Sequence, residues 1–356
     1  MRIRGITYDT GFASAGTTTH EPFVLEMVQR EMQIIHDDLH CNAVRITGAY
    51  PDRLEIAAQF AAKAGLQVWF CPFTNGLSQE ELFDLLIDCA ERAERLRLQG
   101  AEVVFLTGSE ISLFTSGFVP GSSHEERLAI LRSPQELRKV IGEVRAGIND
   151  FLDRAVKAVR ARFGGKVSYA SIPFEGIDWS RFDIIATDAG YRTAAFAARF
   201  RDDIRAFVAQ GRAQEKPVAI TEFGCATYRG ASDLANRDDS MIKWGSGAKP
   251  VGLSQELTRD EGEQARYLCE LLDVFEAEGV DSVFVYTFAR YDLTYRCATR
   301  EDFDVVSAGV VKVLEDGRGE RYPEMPWEPK AAFAALAERY QRNALSITDN
   351  ASLNGR

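Results

Sequence analysis

The hydrophobic pattern of this 356-residue chain alternates between two kinds of segment along almost its whole length. Short runs rich in β-branched and aromatic residues are typical of buried strands, and longer stretches with apolar residues three to four positions apart are typical of amphipathic helices. The pattern predicts eight strands: "RIRGITY" (2–8), "NAVRIT" (42–47), "QVWFCPF" (67–73), "EVVFLTG" (102–108), "KVSYASI" (166–172), "DIIATD" (183–188), "PVAITEF" (217–223) and "DSVFVYTF" (281–288).

Eight strand–helix units in alternation predict an α/β protein, a single-domain (β/α)₈ TIM barrel. A doubly wound sheet is the alternative, but the first strand is not followed by the Gly-rich G-x-G-x-x-G turn that is usual there. After the fifth strand, "FEGIDWSRF" leaves room for little more than one helical turn. We assign residues 1–345 to the barrel and 346–356 to a flexible polar tail.

The predicted connections are short where they enter a strand and long where they leave one. The long ones cover residues 111–133, 225–258 and 289–328, after strands 4, 7 and 8. In barrels of this kind the loops that leave the strands gather on one face, and that face carries the active site. We therefore expect the functional residues at the C-terminal ends of the strands.

Composition narrows the choice of partner. The net charge of −11 and the pI near 5.1 argue against a nucleic acid. No apolar run is long enough to cross a bilayer and no secretory signal is visible, so we expect a cytoplasmic protein without a membrane partner. The four histidines fall outside the predicted strands, and we expect no metal and no cofactor. A small molecule or an oligosaccharide is the expected partner, and the oligomeric state is left open.

Few polar side chains follow the strands, and two of them are glutamates on strands three apart, Glu110 and Glu222. Two carboxyl groups facing each other across a cleft are the equipment for glycoside hydrolysis, in which one protonates the leaving oxygen and the other attacks the anomeric carbon. Arg45, inside an otherwise apolar strand, requires a carboxylate partner, either Glu222 or a neighbouring strand-end aspartate such as Asp9. Tyr191 is a candidate donor to the same carboxylate, or a residue that lines the pocket.

Further polar and aromatic residues fall at strand ends or in the loops that follow. Aromatic faces suit sugar rings, and polar groups suit hydroxyls. The candidates for substrate binding are Asp9, Ser109, Phe114, Glu175, Asp188, Tyr228, Trp244, Phe288 and Arg290.

Two stretches carry a resemblance to a known family. "VAITEFG" resembles the strand-7 nucleophile signature of the retaining (β/α)₈ glycoside hydrolases known as the 4/7 superfamily, and "NAVRI" resembles their strand-2 arginine motif. The resemblance implies that Glu222 is the nucleophile, Glu110 the acid/base and Arg45 the arginine beside the nucleophile. The chain also resembles bacterial proteins labelled "abortive infection protein", in "DDLHCNAVRITG", "GAEVVFLTGSEISLF", "YASIPFEGIDW", "PVAITEFGCATYRG" and "MPWEPKAAF".

One position departs from the superfamily pattern. An asparagine usually precedes the strand-4 acid/base there, and this chain has Ser109. Glu175 is the alternative proton donor. We expect hydrolysis of a glycosidic bond with retention. The alternatives are another acid/base reaction of the carboxylate pair on a secondary metabolite, or a catalytically inactive sugar-binding barrel in phage defence.

Overall fold

The computed structural model describes residues 1–14, 16–235, 238–245 and 249–353. Eight parallel strands close into a barrel in which each strand pairs with its neighbours in chain order and the last pairs with the first. The strands are β1 (Ile3–Asp9), β2 (Ala43–Gly48), β3 (Gln67–Pro72), β4 (Val103–Ser109), β5 (Lys166–Ser171), β6 (Ile185–Thr187), β7 (Val218–Phe223) and β8 (Ser282–Val285). The predicted fold class, a (β/α)₈ TIM barrel, is confirmed.

Helices cover the outside of the barrel and occupy two of its long loops. They are α1 (Leu25–Asp37), α2 (Pro51–Lys63), α3 (Gln79–Leu98), α4 (Ile111–Phe114), α5 (His124–Arg132), α6 (Pro134–Arg160), α7 (Phe200–Ala213), α8 (Ala231–Leu234), α9 (Glu261–Glu278) and α10 (Ala331–Leu353). Helix α3 shows how the sequence sets a boundary: Ser78 and Glu81 form a capping box at its start.

After β5 the structure has no full helix, only two short 3₁₀ turns, Pro173–Glu175 and Trp179–Arg181. This agrees with the prediction that the stretch has room for little more than one helical turn. Helix α10 continues to Leu353, so residues 346–353 of the predicted tail continue this helix, and residues 354–356 lie outside the described part of the chain. The flexibility of the tail and the boundary at residue 345 stay predictions.

The three long loops lie where the sequence predicts them, after β4, β7 and β8. The first carries α4 and α5. The second carries α8, a 3₁₀ turn (Asp238–Met241) and a hairpin of Ile242–Trp244 with Pro250–Leu253. The third carries a 3₁₀ turn (Phe303–Val306) and a hairpin of Val311–Val313 with Trp327–Pro329. One further hairpin, Ala13–Ser14 with Thr17–Thr18, follows β1.

The interior of the barrel is filled by side chains, so it is a packed core rather than an open channel. Inward-facing residues of alternate positions form this inner core: Ile3, Ala43, Trp69, Cys71, Val104, Leu106, Ile184, Ala186, Ala219 and Phe284. A second, larger core lies between the strands and the outer helices. Among the helices of the described ranges, none is long and apolar enough to cross a membrane.

Candidate active site

Three carboxyl groups meet at the C-terminal ends of the strands. Glu110, Asp188 and Glu222 each place an oxygen within 4.8 Å of the others. Glu110 directly follows β4 and has a left-handed backbone (φ 45°), a conformation that costs an L-residue about 1–2 kcal/mol. Its carbonyl group accepts a bond from the backbone N–H of Leu113 at 2.9 Å, so the strand ends and α4 begins at this residue. The two glutamates predicted as a pair are therefore brought together.

Arg45 lies beneath these groups and is fully buried. Its Nη1 donates to an oxygen of Glu222 at 2.8 Å and to the carbonyl oxygen of Thr221 at 3.0 Å. The same guanidinium forms an ion pair with Asp188 at 3.3 Å. The predicted contact with Glu222 is present, and the aspartate that also contacts Arg45 is Asp188; Asp9, the example we named, bonds to Gly11 and Thr19 instead.

Ser109 and Asp188 complete the layer behind the nucleophile candidate. The hydroxyl of Ser109 donates to Asp188 Oδ2 at 2.6 Å and accepts from Arg45 Nη2 at 3.0 Å. Both side chains are buried, with Ser109 only 2% exposed and Asp188 1%. The structure thus buries these two predicted substrate-binding residues behind Glu222 rather than exposing them to a substrate.

Tyr191 donates its hydroxyl to the other oxygen of Glu222 at 3.1 Å, as one of its two predicted roles requires. Gly190 makes this contact possible, because a Cβ there would lie 2.4 Å from the Glu222 carbonyl oxygen. The backbone N–H of Gly190 donates to that same carbonyl at 3.1 Å, which fixes the β6 loop against β7. Glu222 therefore has one charged and one neutral donor, and 12% of its side chain stays exposed.

Burial and like charge act on both glutamates. Desolvation, together with the carboxylates of Asp188, Glu222 and Glu175, holds the pKa of Glu110 well above its usual range. Desolvation and Asp188 also raise the pKa of Glu222, to about 7, while Arg45 and Tyr191 oppose that rise. Arg45 contacts Glu222 directly and so favours its ionised form, whereas burial among carboxylates favours the protonated form of Glu110.

Glu175 lies in a different environment from the one we predicted. Its carboxyl group is fully buried and accepts bonds from the Ser112 hydroxyl (2.6 Å), the Tyr169 hydroxyl (2.9 Å) and the Ile172 N–H (3.0 Å). Desolvation raises its pKa to about 7. Through these hydrogen bonds the carboxyl group links the 3₁₀ turn after β5 to α4. It has no exposed surface with which to contact a substrate.

The remaining predicted binding residues are spread over the face. Asp9 is held at the end of β1 by the Gly11 N–H at 2.8 Å and by the Thr19 hydroxyl. Arg290 forms a bidentate pair with Asp292 at 2.7 and 2.8 Å. Phe288 is 0% exposed and packs against Tyr8 and Trp327, so it belongs to the core. Sequence position alone could not separate the polar residues held in the loops from a residue, Phe288, that is buried in the core.

The two candidates in the β7 loop also differ in exposure. Tyr228 is 3% exposed and pairs with Arg259 through its backbone. Trp244, in the hairpin, is 44% exposed.

Phe114 belongs to an aromatic group with Phe12, Phe73 and His124, in which neighbouring ring centres lie 4.8–5.4 Å apart. Sequence reasoning missed Phe12 and His124, although each lies in a loop that leaves a strand.

The three carboxyl oxygens are close enough together to hold a divalent cation. Arg45 already binds two of these carboxylates, and its positive charge lies where it would repel such an ion. The donor set therefore suits an ion pair better than a metal, and the expectation that the protein uses no metal stays a prediction.

No family model matches the chain, and no curated protein matches it either. The chain does resemble solved structures over nearly all of its length. A GH113 β-1,4-mannanase has a TM-score of 0.60 at 17% sequence identity, covering 96% of this chain and 99% of that one. The GH113 β-mannanase AaManA of Alicyclobacillus acidocaldarius has a TM-score of 0.55 at 17% identity, with 96% and 97% covered.

A third similar structure is the β-glucuronidase of Parabacteroides merdae, with a TM-score of 0.55 and 15% identity. It covers 95% of this chain, but the chain spans only 36% of that protein. At these identities the comparisons establish the shared barrel fold. They do not show the resemblance to the proteins labelled "abortive infection protein".

Proposed function

We propose that the protein hydrolyses a glycosidic bond with retention, in two steps. Glu222 attacks the anomeric carbon while Glu110 gives its proton to the departing oxygen, which leaves a covalent glycosyl–enzyme ester. Glu110, now ionised, takes a proton from water, and the water oxygen displaces Glu222 from the anomeric carbon. Each carboxyl group returns to its starting state.

The observation that carries this proposal is the spacing of the two carboxyl groups. Their oxygens lie within 4.8 Å of each other. Retaining enzymes keep their carboxyl groups about 5–5.5 Å apart, whereas inverting enzymes need roughly 6.5–9.5 Å to admit a water molecule. The close approach of one oxygen from each group supports the retaining arrangement.

The charges support the same assignment of roles. A nucleophile has to be ionised, and Glu222 has the Arg45 guanidinium at 2.8 Å and the Tyr191 hydroxyl at 3.1 Å. A general acid has to hold its proton at the working pH, and the burial of Glu110 among other carboxylates favours that. The opposite assignment would give the proton to the group that binds the arginine.

The similar structures do not select a sugar, since their names describe a mannanase and a glucuronidase. The position that carries asparagine in the superfamily is also of little help, because the Ser109 hydroxyl is already bonded to Asp188 and Arg45. The substrate is therefore either a small glycoside or an oligosaccharide, and both alternatives stay open. The cytoplasmic location and the absence of nucleic-acid and membrane partners stay predictions from composition.

The test begins with a panel of aryl glycosides that differ in sugar and anomeric configuration. The sugar that is turned over is then supplied as its 2-deoxy-2-fluoro glycosyl fluoride, which forms the ester but resists its hydrolysis. We expect the peptide containing Glu222 to gain the mass of one fluorosugar, and Glu222→Gln to gain none. Turnover with no trapped ester would favour another reaction of the carboxylate pair. Sugar binding without any turnover would favour the inactive barrel.

A further inference from the structure

Arg45 is shared between two acids. Nη1 contacts Glu222 at 2.8 Å and Asp188 Oδ1 at 3.3 Å, and Nη2 lies 3.4 Å from Asp188 Oδ2. Glu222 therefore meets the guanidinium through a single nitrogen. A bidentate pair, which is the strongest arrangement for arginine and a carboxylate, is not formed with the nucleophile.

Asp188 cannot reach a substrate. Its side chain is 0% exposed, as is that of Arg45, whereas Glu222 retains 12%. The Ser109 hydroxyl bridges Asp188 Oδ2 and Arg45 Nη2 at 2.6 and 3.0 Å, which links the acid and the arginine. These residues come from the middle of β2, the end of β4 and the position after β6, three strands whose places are set by the barrel.

We propose that Asp188 and Ser109 are positioning residues that hold Arg45 between two carboxylates, so that Asp188 acts on the nucleophile Glu222 without touching the substrate. One positive charge then serves two negative ones, and Glu222 receives only part of it. Removing the charge of Asp188 would give Glu222 the whole guanidinium and take away a neighbouring like charge. Both changes favour the ionised nucleophile. This inference rests on the proposed function for its meaning, but its test does not need turnover.

Other groups also face Glu222 and set the background for the test. The Tyr191 hydroxyl donates to it after β6, and Glu110 approaches it from β4. Asp188 and Arg45 act on it as described, and Cys71 of β3 touches Arg45 Nη2 at 3.7 Å. Tyr286, after β8, adds its influence through Tyr191. Only Asp188 combines a negative charge with direct contact to the arginine and complete burial.

The experiment is a pH titration of the Glu222 carboxyl carbon by ¹³C NMR, in protein labelled at the δ-carbon of glutamate. The resonance is identified by its absence from Glu222→Gln. In the unsubstituted protein we expect a midpoint of about 7. In Asp188→Asn we expect the midpoint about one pH unit lower or more, the shift usual for a close charge. Asp188→Ser also removes the charge, and it replaces the first variant if that one does not fold.

Asp183→Asn is the matched control, because Asp183 precedes β6 at the opposite end of the barrel and bonds to Arg160 and Val167. It should leave the midpoint where it is. An unchanged midpoint in folded Asp188→Asn or Asp188→Ser would overturn the inference, even if Glu222 is trapped by the fluorosugar. A shifted midpoint in a protein that traps no fluorosugar would instead leave the inference standing and reject the glycosidase.

Discussion

Glu222 and Glu175 both lie at the C-terminal side of the barrel, and burial raises the pKa of each to about 7. Around Glu222 the neighbours are charged: Arg45 is paired with it, and Asp188 competes for the same guanidinium. Around Glu175 the neighbours are neutral hydroxyl and backbone donors, and the group is sealed from solvent. A raised pKa alone therefore does not distinguish a reactive acid from a structural one, whereas access and the charge of the neighbours do.

The largest effect should come from Glu222→Gln. The amide keeps the shape of the side chain but cannot attack the anomeric carbon, so we expect kcat to fall by about 10⁴-fold or more. The unfolding free energy should stay within about 1 kcal/mol, because Arg45 retains Asp188 as a partner. Steady-state kinetics and urea unfolding together check this. A variant with near-normal kcat would remove Glu222 from the mechanism.

Glu110→Gln should have the next largest effect, and its size should depend on the leaving group. Loss of general acid catalysis costs about 10²–10⁴-fold for a poor leaving group such as an alkyl alcohol. A dinitrophenyl leaving group needs no proton, so its departure should be much less affected. The rates of a series of aryl glycosides, compared between the variant and the unsubstituted enzyme, check this. Equal losses across the series would contradict the acid role.

Glu175→Gln tests the other half of the comparison, since here stability should suffer more than chemistry. The carboxyl group accepts bonds at both oxygens, and an amide would turn its NH₂ group toward a donor such as the Ile172 N–H. We expect a loss of about 2–3 kcal/mol of unfolding free energy, the cost of an unsatisfied buried donor. Urea unfolding measures it. If the fall in kcat, expressed as an activation free energy, exceeded the loss of unfolding free energy, Glu175 would take part in the reaction.

Tyr191→Phe should produce the smallest effect. It removes one 3.1 Å hydrogen bond that lowers the pKa of Glu222. The acid limb of the pH–rate profile, which Glu222 sets at about pH 7, should therefore move up, opposite to the change expected for Asp188→Asn. The basic limb, set by Glu110, should keep its place at higher pH. We expect about a tenfold loss of rate on the plateau. A downward shift of the acid limb would contradict the assignment of that limb to Glu222.

Much of this arrangement is visible in the sequence, because barrel strands are short apolar runs and the fold dictates which face their ends share. That logic places Glu110, Arg45 and Glu222 together. It does not show how deeply each side chain is buried. Glu222 lies near the end of β7, and Glu175 and Phe288 follow β5 and β8, yet Glu175 and Phe288 are both 0% exposed; the periodic pattern of apolar residues does not record this difference.

The second partner of Arg45 shows the same limit. Asp9 and Asp188 lie at or just after strand ends and have the same side chain, so the choice between them depends only on where the closed barrel places each one relative to Arg45. Asp188 follows β6, beside β7, and reaches Arg45, while Asp9 bonds within its own loop. Pairing across the barrel axis is a property of the closed sheet rather than of any local segment.

The most direct test of the central claim is the stereochemistry of the first product. ¹H NMR of the anomeric proton, recorded in the first minutes of hydrolysis of an active aryl glycoside, shows which anomer forms before mutarotation. Two carboxyl groups with oxygens within 4.8 Å predict the same anomeric configuration as in the substrate. Initial appearance of the opposite anomer would contradict the account.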